Sequence, residues 1–369
     1  MIIKDLIKLL ENFAPLSLQE DYDNAGLITG NREWECTGII ISLDSTEAVV
    51  NEAINKKCNL IIAHHPIVFS GLKKITGKNY VEQTIITAIK NDIAIYAIHT
   101  NLDNVLDGVN GKIADMLGLL NRSILAPKTN LLHKLSVFVP VADKEKLLSA
   151  LFAAGAGKIG NYSECSFTSQ GTGSFKAGDL SNPHVGNIGE RHYENEVKLE
   201  VIFPVWLQAR VLAAIKLAHP YEEVAHDIYN LANPYQQTGS GIIGNLEKAV
   251  SETEILKTLQ NIFKIPVIKH TGFLGKPIKT VAICGGAGSF LTAAAIGAGA
   301  DIYITADIKY HEFFDAEGRL LLADIGHFES EQFTVDLLFD ILKNNFPNFA
   351  VLKTGVNTNP VRYYSSLAE

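Results

Sequence analysis

The chain offers no apolar run long enough to span a membrane, which excludes a membrane-spanning helix from the expected architecture. Its opening stretch, residues 1–10, is amphipathic and broken by charge, with no small-residue cleavage site, so a secretory leader is not expected. Cysteine is scarce: Cys36, Cys58, Cys165 and Cys284 are far apart and form no paired spacing. That argues against a disulfide framework and against a thiolate zinc site, and fits reduced thiols in the cytoplasm. Excess positive charge is also missing. The net charge of −8 leaves no electrostatic footprint for nucleic acid, and the charges of both signs are scattered as on ordinary solvated surface.

What is present is bulk and pattern. At 369 residues with 47% hydrophobic content, the chain has material for more than one core. Ile3, Leu6, Ile7, Leu10 and Phe13 share one helical face, ended by Pro15. After a turn-rich stretch at residues 21–26, short apolar strands alternate with helices. Strands are expected at 37–43, 59–63 and 93–98, with helices from Ala48 and over 81–90. This is the pattern of a parallel α/β sheet. The same order returns late in the chain, with strands at 279–284, 301–305 and 320–324 and helices over 290–298 and 333–346. Residues 285–289, Gly-Gly-Ala-Gly-Ser, read as a tight turn; an anion cradle at a helix start is the alternative. The middle differs: two strand-helix-strand runs of antiparallel character suggest a ferredoxin-like insert. The expected organisation is therefore two similar α/β core units with mostly parallel sheets, residues 1–130 and 238–369, and an α+β domain inserted at 131–237.

The chemistry gathers at predicted strand ends. His64 and His65 close the run Leu-Ile-Ile-Ala, and Pro66 marks the bend after them. Neighbouring side chains on a strand point to opposite faces, so the two can converge only where the strand has ended. His99 and Asp103 follow one apolar run; His327 and Glu331 follow another with the same spacing, and Gly326 suggests that only Glu331 lies in a helix. Singly, each group has an ordinary explanation in a turn, a cap or a helix dipole. Together, they bring imidazoles and carboxylates without thiolates to one crevice, a set that suits zinc, iron or manganese at an open site. Five or six ligands exceed the needs of one tetrahedral ion and match a pair of ions of the kind used in metal-assisted hydrolysis. Asp44 reads as either a partner of the site or a helix cap. Asp307 and His311 read as lining the same crevice, with packing as the equal alternative for Tyr310 and His311. His219-Pro-Tyr-Glu-Glu223 reads as a capped turn in preference to a metal site.

These motifs resemble the NIF-three-like family, the GTP cyclohydrolase 1 type 2 homologs. The resemblance rests on 60–69, 99–103 and 326–331, on Asp23-Asn-Ala-Gly26, and in the insert on 157–165 and 219–225. It covers essentially the whole chain. It implies that His64, His65, Asp103, His327 and Glu331 hold two divalent metals, with His99 as an auxiliary ligand or proton carrier. It further implies a toroidal homohexamer, capped by an insert similar to the copper-tolerance and nitrogen-regulatory folds. The implied activity is hydrolytic opening of the GTP purine ring with release of formate, on a small nucleotide-like substrate. The competing expectation is a non-enzymatic hexameric scaffold or metal-responsive regulator, with the insert as its sensing module.

Overall fold

Short runs of branched aliphatic residues build the first sheet in a computed structural model that describes residues 1–364. Its strands are β1 (Gly26–Thr29), β2 (Ile39–Asp44), β3 (Leu60–His65), β4 (Ala94–Ala97) and β15 (Val351–Lys353). They lie in the order β1-β4-β3-β2-β15. All neighbours are parallel except the edge strand β1, which runs antiparallel to β4. Successive residues of the central strands are apolar because both faces are covered. Ile39, Ile41, Leu60 and Ile62 join one core cluster, and Ile40, Ile61, Ala63 and Ile95 join another with residues of the helices Glu47–Asn55 and Tyr80–Lys90. Those helices start on side-chain caps: Thr46 accepts from the Val49 amide and Asn79 from the Glu82 amide.

The second sheet contains β5 (Leu120–Lys128), β10 (Tyr235–Val250), β11 (Lys269–His270), β12 (Ile278–Ala287), β13 (Ile302–Ala306) and β14 (Leu321–Asp324), in the order β11-β14-β13-β12-β10-β5. Three strands, β12, β13 and β14, are mutually parallel; β11 and β10 flank them antiparallel. The second sheet is thus less parallel than the sequence pattern predicts, because the long strand β10 pairs with β12 directly. Both sheets share a plan, an antiparallel edge strand followed by parallel ones, four in the first sheet and three in the second. Val281, Ile283, Ile302 and Ile304 share one cluster with Ile41 and Ile62 of the first sheet and with Leu6, Leu259 and Leu338 of three helices. One core therefore joins the two sheets. Ile304 and Ile62 are fully buried, and truncating either to Ala is expected to cost about 2–5 kcal/mol.

These two sheets form the larger compact unit, Met1–Pro127 with Gln237 onward; Lys128–Gln236 forms the other. In the second unit, β6 (Leu132–Pro140), β7 (Phe167–Lys176), β8 (Arg191–Pro204) and β9 (His226–Leu231) make an antiparallel sheet in the order β7-β8-β6-β9. The helices Lys144–Ala153 and Gln208–Ala218 bury Leu147, Leu151, Val211 and Ile215 with Leu135, Val137, Leu199 and Val201 of the strands. Among the described residues no helix is long and apolar enough to cross a membrane.

Parallel strands of one sheet end on the same side. Asp44 and His65 are the last residues of β2 and β3, and they pair in register. His99 lies two residues beyond β4, Asp307 one beyond β13, and His327 three beyond β14. Ligands of open α/β sheets bind at such carboxyl ends.

Candidate metal centre

His64 and His65 both lie inside β3, so convergence does not need the strand to have ended, as the sequence reasoning supposed. Imidazoles at a strand's last two positions reach past the sheet edge and lean along the strand. Their ring centroids are 4.9 Å apart. His64 is fully buried. Its Nδ1 lies 2.8 Å from the Ile98 carbonyl oxygen, which can only accept. Nδ1 therefore carries the proton, and Nε2 presents a lone pair to the interior. Burial holds His64 below the usual imidazole pKa, against the pull of Glu331.

The first His-x-x-x-acid copy is a cap and a single turn. His99 precedes the short helix Thr100–Asp103, and its carbonyl accepts from the Asp103 amide at 3.2 Å. His99 Nδ1 is 2.7 Å from Asp23 Oδ1, and the other Asp23 oxygen accepts from the Thr100 amide and hydroxyl. Burial pushes the Asp23 carboxyl up, but those bonds outweigh it and bring its pKa to about 2. Asp103 has the opposite fate. Burial and the neighbouring Glu331 charge raise it well above the carboxylate range. Asp103 Oδ1 stands 3.6 Å from His64 Nε2. Both atoms are buried and neither has a hydrogen-bond partner.

The second copy lies wholly within one helix, His327–Glu331, where the sequence placed only Glu331. Gly326 takes φ +87°, which lets the chain turn from β14 into the helix within two residues. His327 and Glu331 are thus one turn apart on one face. Glu331 Oε2 is 3.1 Å from His327 Nε2, 2.9 Å from His65 Nε2 and 3.9 Å from His64 Nε2. Burial raises Glu331, but the three imidazoles override it and hold the carboxyl far below its ordinary value. His65 is gripped at both nitrogens, by Glu331 and by Asp44 Oδ1 at 2.8 Å; His327 Nδ1 is 2.7 Å from Asp307 Oδ2. Burial opposes charge on both rings, yet the carboxylates raise His65 to about 10 and His327 to about 9.

A common rule runs through the four histidines. Every Nδ1 faces outward to an oxygen, on Ile98, Asp44, Asp23 or Asp307, and this fixes the rings as metal-ligating histidines are fixed. The groups His64–Asp103–Glu331, His65–His327–Glu331 and His64–His65–His99 each place one ligand atom per residue within 4.8 Å of the others. Donors about 2.0–2.2 Å from a tetrahedral ion stand roughly 3.3–3.6 Å apart. The 3.6 Å gap between His64 Nε2 and Asp103 Oδ1, two electron-rich atoms without a donor between them, fits a shared cation. The residues present therefore suit a divalent metal.

Comparison with known proteins identifies the family. Residues 1–360 match the family described as Duf34/NIF3 (NGG1p interacting factor 3). The chain belongs to the Duf34/NIF3 family. A Halalkalibacterium halodurans protein named GTP cyclohydrolase 1 type 2 homolog is 39% identical over 363 residues, 97% of this chain and 98% of its own. A Bacillus subtilis protein of the same name is 38% identical over 327 residues, 88% of each chain. The crystal structure of a Bacillus cereus protein related to NIF3 matches with a TM-score of 0.86 at 36% identity, covering 99% of both chains.

Other expectations resolve inside this Duf34/NIF3 fold. Asp44 is not the cap of the helix after β2; Thr46 is, which leaves the Asp44 carboxylate for His65. Asp307 does reach the site, through His327. His311 stacks with Phe314 and meets Tyr310 edge-on, and is in none of the ligand groups. His219 ends the helix Gln208–Ala218, bonds the Phe138 carbonyl and receives the Tyr221 amide, as a capped turn does. The glycine-rich run is not a plain turn: Gly285–Ala287 belong to β12. A Cβ on Gly286, at φ +64°, would lie 2.2 Å from Glu331 Oε1. The sequence signalled neither this close approach nor the chemical role of Asp23, whose partner lies 76 residues away.

Proposed function

We propose that the chain is a dinuclear divalent-metal hydrolase acting on a small, nucleotide-like substrate. His64, Asp103 and Glu331 would hold one ion, and His65, His327 and Glu331 the other. Zinc, iron and manganese all suit these nitrogen and oxygen donors. Bound there, such ions supply Lewis acidity for hydrolysis at neutral pH. The observation that carries the reading is the facing pair of unpartnered buried atoms, His64 Nε2 and Asp103 Oδ1, beside a carboxylate already shared by three imidazoles.

The chain's own residues complete the chemistry. Asp23 keeps the His99 proton on Nδ1 and leaves Nε2 to hold or move a proton at the centre. Phe69 meets His99 edge-on at 5.5 Å and shields one side of that ring. The relatives' name suggests a purine nucleotide opened by water, and GTP is the first substrate to try. We read the second unit as ferredoxin-like on its order strand-helix-strand-strand-helix-strand. A homohexameric ring in the cytoplasm completes the proposal.

The test measures bound metal and then screens nucleotides and phosphoesters for turnover, with Asp103→Ala alongside. Metal-dependent turnover lost in the variant is the expected result. Full metal occupancy without turnover on any substrate would instead favour a scaffold or metal-responsive regulator.

A further inference from the structure

The segment after β15 crosses the metal centre without supplying a ligand. It is first anchored on Glu52, whose oxygens accept from the Thr354 hydroxyl and the Gly355 amide. Then Thr358 Oγ1 donates to Asp44 Oδ2 at 2.6 Å. This is the second oxygen of the carboxylate whose Oδ1 holds His65 Nδ1. With both oxygens engaged, Asp44 cannot rotate away from the ring. One residue further, Asn359 Nδ2 donates to Glu329 Oε1 at 3.0 Å. Glu329 is buried and sits midway along the helix that presents His327 and Glu331. Two consecutive residues thus grip the supports of ligands from opposite halves of the unit. Thr358 acts on the strand-end histidine of the first sheet, and Asn359 on the helix following the second.

We propose that Thr358 and Asn359 are positioning residues of the metal centre. Thr358 sets His65 through Asp44, Asn359 sets His327 and Glu331 through Glu329, and together they fix the spacing of the ligands. The inference rests on the metal reading above. Outer partners of ligating histidines typically govern metal affinity by about 10–100-fold. Thr358 is one bond further out, so about tenfold is expected.

The experiment titrates the metal-free full chain with manganese(II) by calorimetry. Thr358→Val is expected to weaken the ion on His65 and His327 about tenfold and to leave the ion on His64 and Asp103 unchanged. Thr358→Ser, which keeps the hydroxyl, should restore wild-type affinity; a purely structural role would not split the two ions or be rescued in this way. Equal affinity in the wild type and Thr358→Val overturns the inference, as does a serine variant no better than valine. A wild type that binds no manganese sinks the metal reading itself and this inference with it. Should the valine variant fail to fold, hydrogen exchange on the wild type decides. Coupling is reciprocal, so metal must slow exchange at the amides of 356–359 and 361, and an unchanged rate overturns the inference.

Discussion

The two His-x-x-x-acid copies share a spacing and reach opposite electrostatic ends. Glu331 draws three imidazoles around one oxygen and stays ionised. Asp103 is buried at its carboxyl, lies beside the Glu331 charge and has no donor on Oδ1, so its ionised form is disfavoured. The outer partners differ too. The Asp23 side chain behind His99 is fully enclosed, whereas the Asp307 side chain behind His327 is 53% exposed. The difference follows from local structure. His327 is inside its helix and faces its own carboxylate one turn on, while His99 sits before its helix and turns to Asp23. Glu331 is therefore the hub of the cluster, while Asp103 Oδ1 is left facing it without a hydrogen-bond partner.

Substituting the two acids breaks this comparison most sharply. Glu331→Gln and Asp103→Asn should each weaken metal binding by more than about 100-fold, beyond the usual cost of losing an outer partner. Their effects on the metal-free fold should differ in sign. Glu331→Gln leaves His65 and His327 without their shared counter-charge and should cost about 3 kcal/mol. Asp103→Asn removes a carboxyl whose ionisation opposes folding, and should raise metal-free stability at neutral pH. Urea unfolding of the chelated proteins reads both, and equal losses in the two variants would dissolve the distinction.

Proton linkage gives the next effect. His65 and His327 titrate at about 10 and 9 in the metal-free fold, above the ordinary imidazole value. Their stabilisation is complete below about 6.5 and is lost as pH rises through 9 and 10. Asp103, an acid with a raised pKa, likewise withdraws stability from the metal-free fold as pH climbs past the usual carboxylate range. Metal bound at the proposed centre would take the place of these protons. Binding should therefore release protons and tighten steadily from pH 6 to 9, as calorimetry in buffers of different ionisation enthalpy will show. PH-independent affinity would contradict it.

A smaller effect sharpens the second copy alone. Gly286→Ala must push the Glu331 carboxylate aside and strain a backbone at φ +64°. A loss of about 1–3 kcal/mol and clearly weaker metal binding are expected by thermal unfolding and titration. Gly297→Ala, in a helix with open space around it, is the control and should be neutral or mildly stabilising.

Much of this was legible in the sequence, for physical reasons. Parallel strands covered on both faces must be apolar throughout, so β2, β3, β4, β13 and β14 stand out, and the candidate ligands were found because they close or follow those runs. The local geometry was less legible. The alternation rule describes the middle of a strand and fails at its last two residues, which is how His64 and His65 stay in β3 and still meet. Helix placement at 327–331 turned on Gly326, whose positive φ permits a direct entry. Asp23, Thr358 and Gly286 act through tertiary approach across 76, 314 and 45 residues, and no local pattern announces such contacts.

The most direct test is metal content. The purified chain is stripped with chelator, dialysed against excess manganese(II) or zinc(II), freed of loose metal and weighed by elemental analysis against protein concentration. The account predicts two ions per wild-type chain and fewer in Asp103→Asn and Glu331→Gln. One ion or none in the wild type contradicts it.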